Sequence, residues 1–121
     1  MIRTQGLTHL HLAVRDLRLS LQFYREVFGM KELFWSGGSM VFLQTEGTND
    51  LITLRQADSA EATGPGGGIG HFGLRLADGV QLDAAVEEVI AAGGRLLGRG
   101  EHAPGVPYAY VSDPDGYVIE L

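Results

Sequence analysis

One short segment is written twice in this chain, and that repetition restricts the fold more than any other feature. Thr8-His9-Leu10-His11-Leu12-Ala13-Val14-Arg15-Asp16 matches Gly70-His71-Phe72-Gly73-Leu74-Arg75-Leu76-Ala77-Asp78 at a constant offset of 62 residues. His9 falls on His71, Leu10 on Phe72, Leu12 on Leu74, Val14 on Leu76 and Asp16 on Asp78. Both segments alternate apolar and other residues, which is the period of a strand with one face in a core. Leu10, Leu12 and Val14 form that face in the first copy, and Phe72, Leu74 and Leu76 form it in the second. The two histidines therefore project from the opposite face.

Each repeated strand leads into a helix. Asp16 is placed to cap the first, Leu17, Leu21, Tyr24 and Phe28 follow at helical spacing, and Gly29 stands where a left-handed residue closes the helix. In the second copy Asp78 or Asp83 is the expected cap, Leu82, Val86, Val89 and Ile90 form the apolar stripe, and Gly93-Gly94 ends it. Three short strands are expected after each helix, at 32–36, 39–45 and 50–55, and again at 95–99, 107–112 and 117–121. Leu51-Ile52-Thr53-Leu54 matches Val118-Ile119-Glu120-Leu121, so Thr53 and Glu120 are equivalent positions. The stretch from Ala57 to Gly68 is polar and Gly-rich and reads as a linker. The expectation is one domain over 1–121, built from a βαβββ module at 6–56, a linker at 57–68 and a second module at 69–121. The fold class is α+β, with the two modules forming a curved mixed sheet cup.

Composition narrows the function. Hydrophobic residues at 45% and charged residues at 20% are an ordinary globular balance. The net charge of −6, with one lysine and dispersed arginines, argues against nucleic acid and anionic membranes as partners. No apolar run is long enough to span a bilayer. The N-terminal stretch has no apolar signal region, so a cytoplasmic protein is expected. Absent cysteine rules out disulfides and thiolate ligands.

Two histidines and one carboxylate, with the remaining positions open, suit a divalent first-row metal. Fe, Mn, Zn, Ni and Mg are not distinguished by this set. His9, His71 and Glu120 are far apart in sequence, but the repeat puts them at related places on related strands.

The chain resembles the vicinal-oxygen-chelate superfamily of glyoxalases, extradiol dioxygenases, fosfomycin-modifying enzymes and bleomycin-resistance proteins. The resemblance rests on His9-Leu10-His11-Leu12-Ala13-Val14-Arg15-Asp16-Leu17, Phe23-Tyr24, Phe28-Gly29-Met30, Gly70-His71-Phe72-Gly73-Leu74 and the segment from Asp113 to Leu121. It implies that His9, His71 and Glu120 hold the metal. The glyoxalase I pattern adds a Glu where this chain has Thr53, which leaves that coordination and its acid–base pair incomplete. Gly100-Glu101-His102, Tyr110 and Glu120 nearly reproduce the extradiol dioxygenase pattern, in which the corresponding His and Tyr line the site. That pattern has another active-site histidine upstream of the second ligand, and no histidine lies between His11 and His71 here. The fosfomycin-modifying enzymes carry a substrate-binding arginine in a tail after the last ligand, and the resemblance does not extend to it.

Tyr110, His11 and His102 are the expected catalytic residues. His11 shares a face with His9, either as a substrate or proton-transfer group or as a solvent-facing support. Arg75 shares the face of His71, where it either holds an anionic substrate group or is an exposed strand charge. Phe34, Trp35 and Met40 either line a substrate pocket or pack ordinarily. Asp113-Pro114-Asp115-Gly116 is a turn that delivers Glu120 in register. The leading expectation is a metal-dependent lyase, isomerase or ring-cleaving dioxygenase acting on a small oxygen-chelating substrate. The alternative is a bleomycin-resistance-like protein that sequesters an aromatic ligand without catalysis. A homodimer is expected, because each module leaves sheet edges and a half-cup to cover.

Overall fold

A computed structural model of the chain describes residues 1, 3, 5, 7–67 and 69–121. Ile2 and Thr4 of the N-terminal stretch, Gly6 at the expected start of the first module and Gly68 at the end of the expected linker lie outside the described residues. The first half runs β1 (Leu10–Val14), α1 (Leu17–Phe28), β2 (Lys31–Ser36), β3 (Met40–Gln44) and β4 (Ile52–Gln56). The second runs β5 (Phe72–Gly73), α2 (Leu82–Ala91), β6 (Arg95–Ala103), β7 (Val106–Ser112) and β8 (Val118–Glu120). A short 3-10 helix, Gly64–Gly67, lies between the halves. The chain is thus α+β, with two four-stranded mixed sheets ordered β1-β4-β3-β2 and β5-β8-β7-β6. In each, the first strand runs parallel to the last and the other pairs are antiparallel.

Local chemistry explains the first helix. The Asp16 side chain accepts the N–H groups of Arg18 and Leu19, at 3.0 and 3.1 Å, which satisfies two donors that a helix start leaves free. Gly29 closes it at φ 63°, a left-handed conformation that costs glycine little. Phe23 and Tyr24 are buried with Leu12, Val14, Val41, Leu43 and Leu54, all in one core cluster. In the second half Val86 and Val89 join Ala109, Val111 and Ile119 in the same cluster. Each such aliphatic side chain contributes roughly 1.5–3 kcal/mol of burial.

Three expectations need correction. Neither Asp78 nor Asp83 caps α2: the cap position is Gln81, which makes no side-chain bond, and Asp83 lies in the first turn paired with Arg99. The second repeated strand is only Phe72–Gly73, because β8 offers it just the partners Ile119 and Glu120 before a last bond from Leu74 N–H to the Glu120 carbonyl. Conversely, β6 extends to Ala103 through a long hairpin with β7. Gly100 permits this: a side chain there would stand 2.6 Å from the Tyr108 hydroxyl.

The halves grip each other at the turn before β8. Asp113 folds that turn by accepting the N–H groups of Asp115 and Tyr117, each at 2.9 Å. Its other oxygen accepts the buried Tyr24 hydroxyl at 3.1 Å. Asp115 accepts the Arg15 N–H at 2.8 Å and the Ser20 hydroxyl at 3.0 Å, and the Tyr117 hydroxyl donates to the Ala13 carbonyl at 2.8 Å. Burial pushes Asp113 up to about 6, with bonds from Tyr117 and Tyr24 opposing the shift. Burial, reinforced by the Asp113 charge, raises the Tyr24 hydroxyl well above its ordinary value.

Candidate functional site

Glu120 is the centre of one face of the second sheet. Its register neighbours are Gly73 on β5 and Tyr110 on β7. His71 immediately precedes β5, and its Nε2 lies 3.2 Å from Glu120 Oε2. His102, on β6, places Nε2 2.6 Å from the other carboxylate oxygen. The two imidazoles thus flank the carboxylate on different oxygens. The His102 hydrogen bond holds Glu120 below the usual carboxylate range against the opposing effect of desolvation, with smaller contributions from Tyr110 and from the His102 and His71 charges. Desolvation, then the Glu120 charge, raises the Tyr110 hydroxyl, so it stays protonated at neutral pH and can donate. An aromatic row runs along this face. His71 meets Tyr110 edge-on at 5.2 Å, Tyr110 meets Tyr108 at 5.2 Å, and Tyr108 stacks on His102 at 4.3 Å.

The first sheet carries the counterpart face. His9 immediately precedes β1 and is exposed, with Nδ1 2.8 Å from the Thr8 hydroxyl. When Nδ1 holds the proton in that bond, Nε2 presents its lone pair outward, the arrangement of a histidine ligand held by an outer partner. Its ring tilts toward Phe42 at 6.2 Å, and Phe42 stacks on Phe34 at 4.2 Å. Thr53, the position equivalent to Glu120, is the register neighbour of His11 and Phe42, is fully buried and has no hydrogen-bond partner for its hydroxyl among the described residues.

His71, His102, Tyr110 and Glu120 are therefore brought together within one half. His9 stands apart from them in one chain, beside Thr8 and Phe42. Within the second half each carboxylate oxygen of Glu120 faces an imidazole, and among the described residues no group of three His, Asp or Glu is arranged as a ready metal site. His11 lies on the His9 side, but its Nε2 accepts the Arg55 Nε–H at 3.3 Å, and Arg55 is tied in turn to Glu61. That bond fixes the proton of a neutral His11 on Nδ1, which makes it a donor there. Arg75 is exposed and lines a cleft of about 720 Å³ with Gln81, Arg99, Glu101 and Tyr108. Trp35 is placed away from the histidine face, which corrects its expected substrate-lining place. It is paired with the core residue Val41, shares a recess with Arg18 and Leu21 of α1, and donates to Glu32 at 2.8 Å. Its neighbour Phe34 lies on the other face, stacked on Phe42, because adjacent strand residues point to opposite sides. The direct bond of His102 to Glu120 and the Phe34–Phe42 stack carry no local sequence signal.

This architecture has clear relatives. The chain belongs to the Glyoxalase/Bleomycin resistance protein/Dioxygenase superfamily, whose pattern matches residues 6–121. It is 34% identical over 125 residues to a lactoylglutathione lyase of Arabidopsis thaliana, spanning 93% of this chain but only 42% of that protein. A probable lactoylglutathione lyase of Synechocystis is 33% identical, over 95% of this chain and 92% of its own length. The catechol-2,3-dioxygenase of Bacillus subtilis is 34% identical over 112 residues, 91% of this chain and 38% of that one. Among solved structures, a glyoxalase-related enzyme from Fulvimarina pelagi superposes with a TM-score of 0.77 at 23% identity, covering 97% of this chain and 86% of its own. A fosfomycin resistance protein variant from Listeria monocytogenes, crystallised with Mn(II) and a dihydroxypropylphosphonic acid, gives 0.77 at 24% identity, with coverages of 98% and 90%. At those identities the structures show the shared fold. No helix among the described residues is long and apolar enough to cross a membrane.

Proposed function

We propose that this chain is a metal-dependent enzyme acting on a small substrate that presents two oxygens, as a lyase, isomerase or ring-cleaving dioxygenase. His71 and Glu120 of one subunit, with His9 of its partner in a homodimer, would hold the divalent ion. The observation that carries the reading is an ionised, half-buried carboxylate flanked by His71, His102 and Tyr110 on an open sheet face, with His9 at the repeat-equivalent position on the other sheet. Two imidazoles and one carboxylate fit the donor set of such a site. When bound, the ion supplies Lewis acidity to substrate oxygens.

The chain's own residues do the rest. His102 orients the carboxylate. Tyr110, kept protonated, donates to negative charge that develops on a substrate oxygen. His11 presents its Nδ1–H as a donor, while Arg55 holds the ring in place. Arg75, exposed on the same half as Glu120, would pair with an anionic group of the substrate. Thr53, where lactoylglutathione lyases of the glyoxalase I pattern carry a fourth ligand, weighs toward the three-ligand chemistries.

Element-resolved metal analysis of the purified protein tests this, with His71→Ala as the control. Metal that stays at the same level in the variant removes the basis of the proposal. Turnover of catechols and of methylglyoxal–thiol adducts then separates the reaction classes. A second reading, a binding protein that sequesters an aromatic ligand without metal, draws on the Phe34–Phe42 and His102–Tyr108 stacks, in each of which one ring is exposed and the other half-buried. Stabilisation by aromatic compounds in chelator, and none by divalent ions, would favour it.

A further inference from the structure

The turn before β8 touches the first half at the C-terminal end of β1 and on the first turn of α1. Tyr117 donates to Ala13, within β1, and Asp115 accepts from Arg15, just after β1, and from Ser20, on α1. Ser20 is fully buried although polar, so its hydroxyl depends on Asp115 for its hydrogen bond. These contacts lie one short strand away from the candidate ligands. His9 is four residues from Ala13, roughly 13 Å along a strand, and Glu120 is three residues from Tyr117, roughly 10 Å. Over such lever arms a rotation of about 5° at the turn moves a ligand by about 1 Å, several times the tolerance of about 0.2 Å in a metal–ligand bond.

From this placement, and resting on the proposed metal site, we infer that Asp115 is a positioning residue: by fixing the start of α1 and the end of β1 against the turn that leads into β8, it sets His9 relative to His71 and Glu120. In a two-fold dimer each site takes His9 from one subunit and the other two ligands from its partner, so both sites close together only at one angle between the halves. Apolar packing between the halves is non-directional and tolerates sliding. The hydrogen bonds of Asp115 are directional and do not.

The test uses the full chain, whose lack of cysteine makes introduced thiols unique label sites. Spin labels at Gln22→Cys and Glu87→Cys, on exposed positions of α1 and α2, report the distance between the halves in spin-diluted samples. Co(II) titration of the unlabelled protein reports the site. Asp115→Ala is expected to broaden the distance distribution and weaken Co(II) binding about ten- to a hundredfold, the usual scale for losing an outer support. Asp115→Asn, which keeps an oxygen for the Arg15 N–H, recovers part of both. Val89→Ala, a core truncation in α2, lowers the unfolding midpoint and leaves both readouts at wild-type values. An unchanged distribution in Asp115→Ala, or equal changes in Val89→Ala, overturns the inference. If the wild type binds no Co(II), the metal reading falls, and the distance distributions alone decide whether Asp115 positions the halves.

Discussion

Replacing Tyr24 by Phe removes one hydroxyl from the interior and should give a cost that depends on pH. Tyr24 is fully buried and donates to Asp113 Oδ2 at 3.1 Å. Asp113 is itself buried, and its carboxyl is raised from an ordinary 3.8 to about 6. The folded chain therefore keeps the Asp113 proton over a range where the unfolded chain has lost it. This group's contribution to stability is greatest below about pH 4 and declines as pH rises through about 6. A shift of about two units corresponds to roughly 3 kcal/mol of decline. The Tyr24 bond works against that shift, since it favours the ionised form. At pH 7.5 its loss leaves a buried carboxylate short of a donor and costs about 1.5–3 kcal/mol. At pH 4.5 the carboxyl is neutral, and the same loss costs about 0.5–1.5 kcal/mol. Urea unfolding followed by circular dichroism, in chelator and at fixed protein concentration, measures both. A loss of 2 kcal/mol would lower Tm by roughly 6–12 °C at this chain length. If Tyr24→Phe costs the same at both pH values, Tyr24 does not stabilise an ionised Asp113 and the reasoning is wrong.

Other substitutions probe separate parts of the fold. Gly94→Ala drives a methyl into the Ser112 carbonyl and to 2.5 Å from Val89, and should destabilise by about 1–3 kcal/mol in urea unfolding; a smaller effect would mean that the start of β6 shifts freely. Thr53→Val removes a buried hydroxyl that has no partner among the described residues, and should leave Tm unchanged or higher; a clear loss would show that this hydroxyl has a use. Asp16→Ala deletes the cap of α1 and should cost about 1 kcal/mol by the same unfolding measurement.

Most of the fold was legible because it is written in local periods. The alternation around Leu12 and Val14, the helical spacing of Leu17, Leu21, Tyr24 and Phe28, and Gly29 after them each act over a few residues. The second repeated strand misled, because alternation from Phe72 to Leu76 states only that a strand is possible there. Whether one forms depends on partner backbone, and β8 supplies it only as far as Glu120. Gly98 and Gly100 hid the length of β6, since glycine weakens any strand pattern, and the Tyr108 ring that needs the space is several residues away. The sequence offers Phe34 and Trp35 together as pocket residues, but neighbours on a strand face apart, so only one of them can share the histidine face. For the site, the repeat exposed His9, His71 and Glu120 as equivalent or singular positions. It contained nothing about His102 reaching Glu120, about Arg55 claiming His11, or about Asp113 and Asp115 serving the other half, because those pairings join distant segments.

The grip of the Asp113–Gly116 turn on α1 has a consequence for the peptide that runs between the halves. Because recognition is carried by Tyr24, Ser20 and Ala13 on one side and by Asp113, Asp115 and Tyr117 on the other, covalent continuity contributes proximity rather than specificity. Two separately synthesised fragments, cut between Asp58 and Thr63, are therefore expected to associate when mixed and regain the far-ultraviolet circular dichroism of the whole chain; fragments that stay apart would show that the connecting peptide contributes more than proximity.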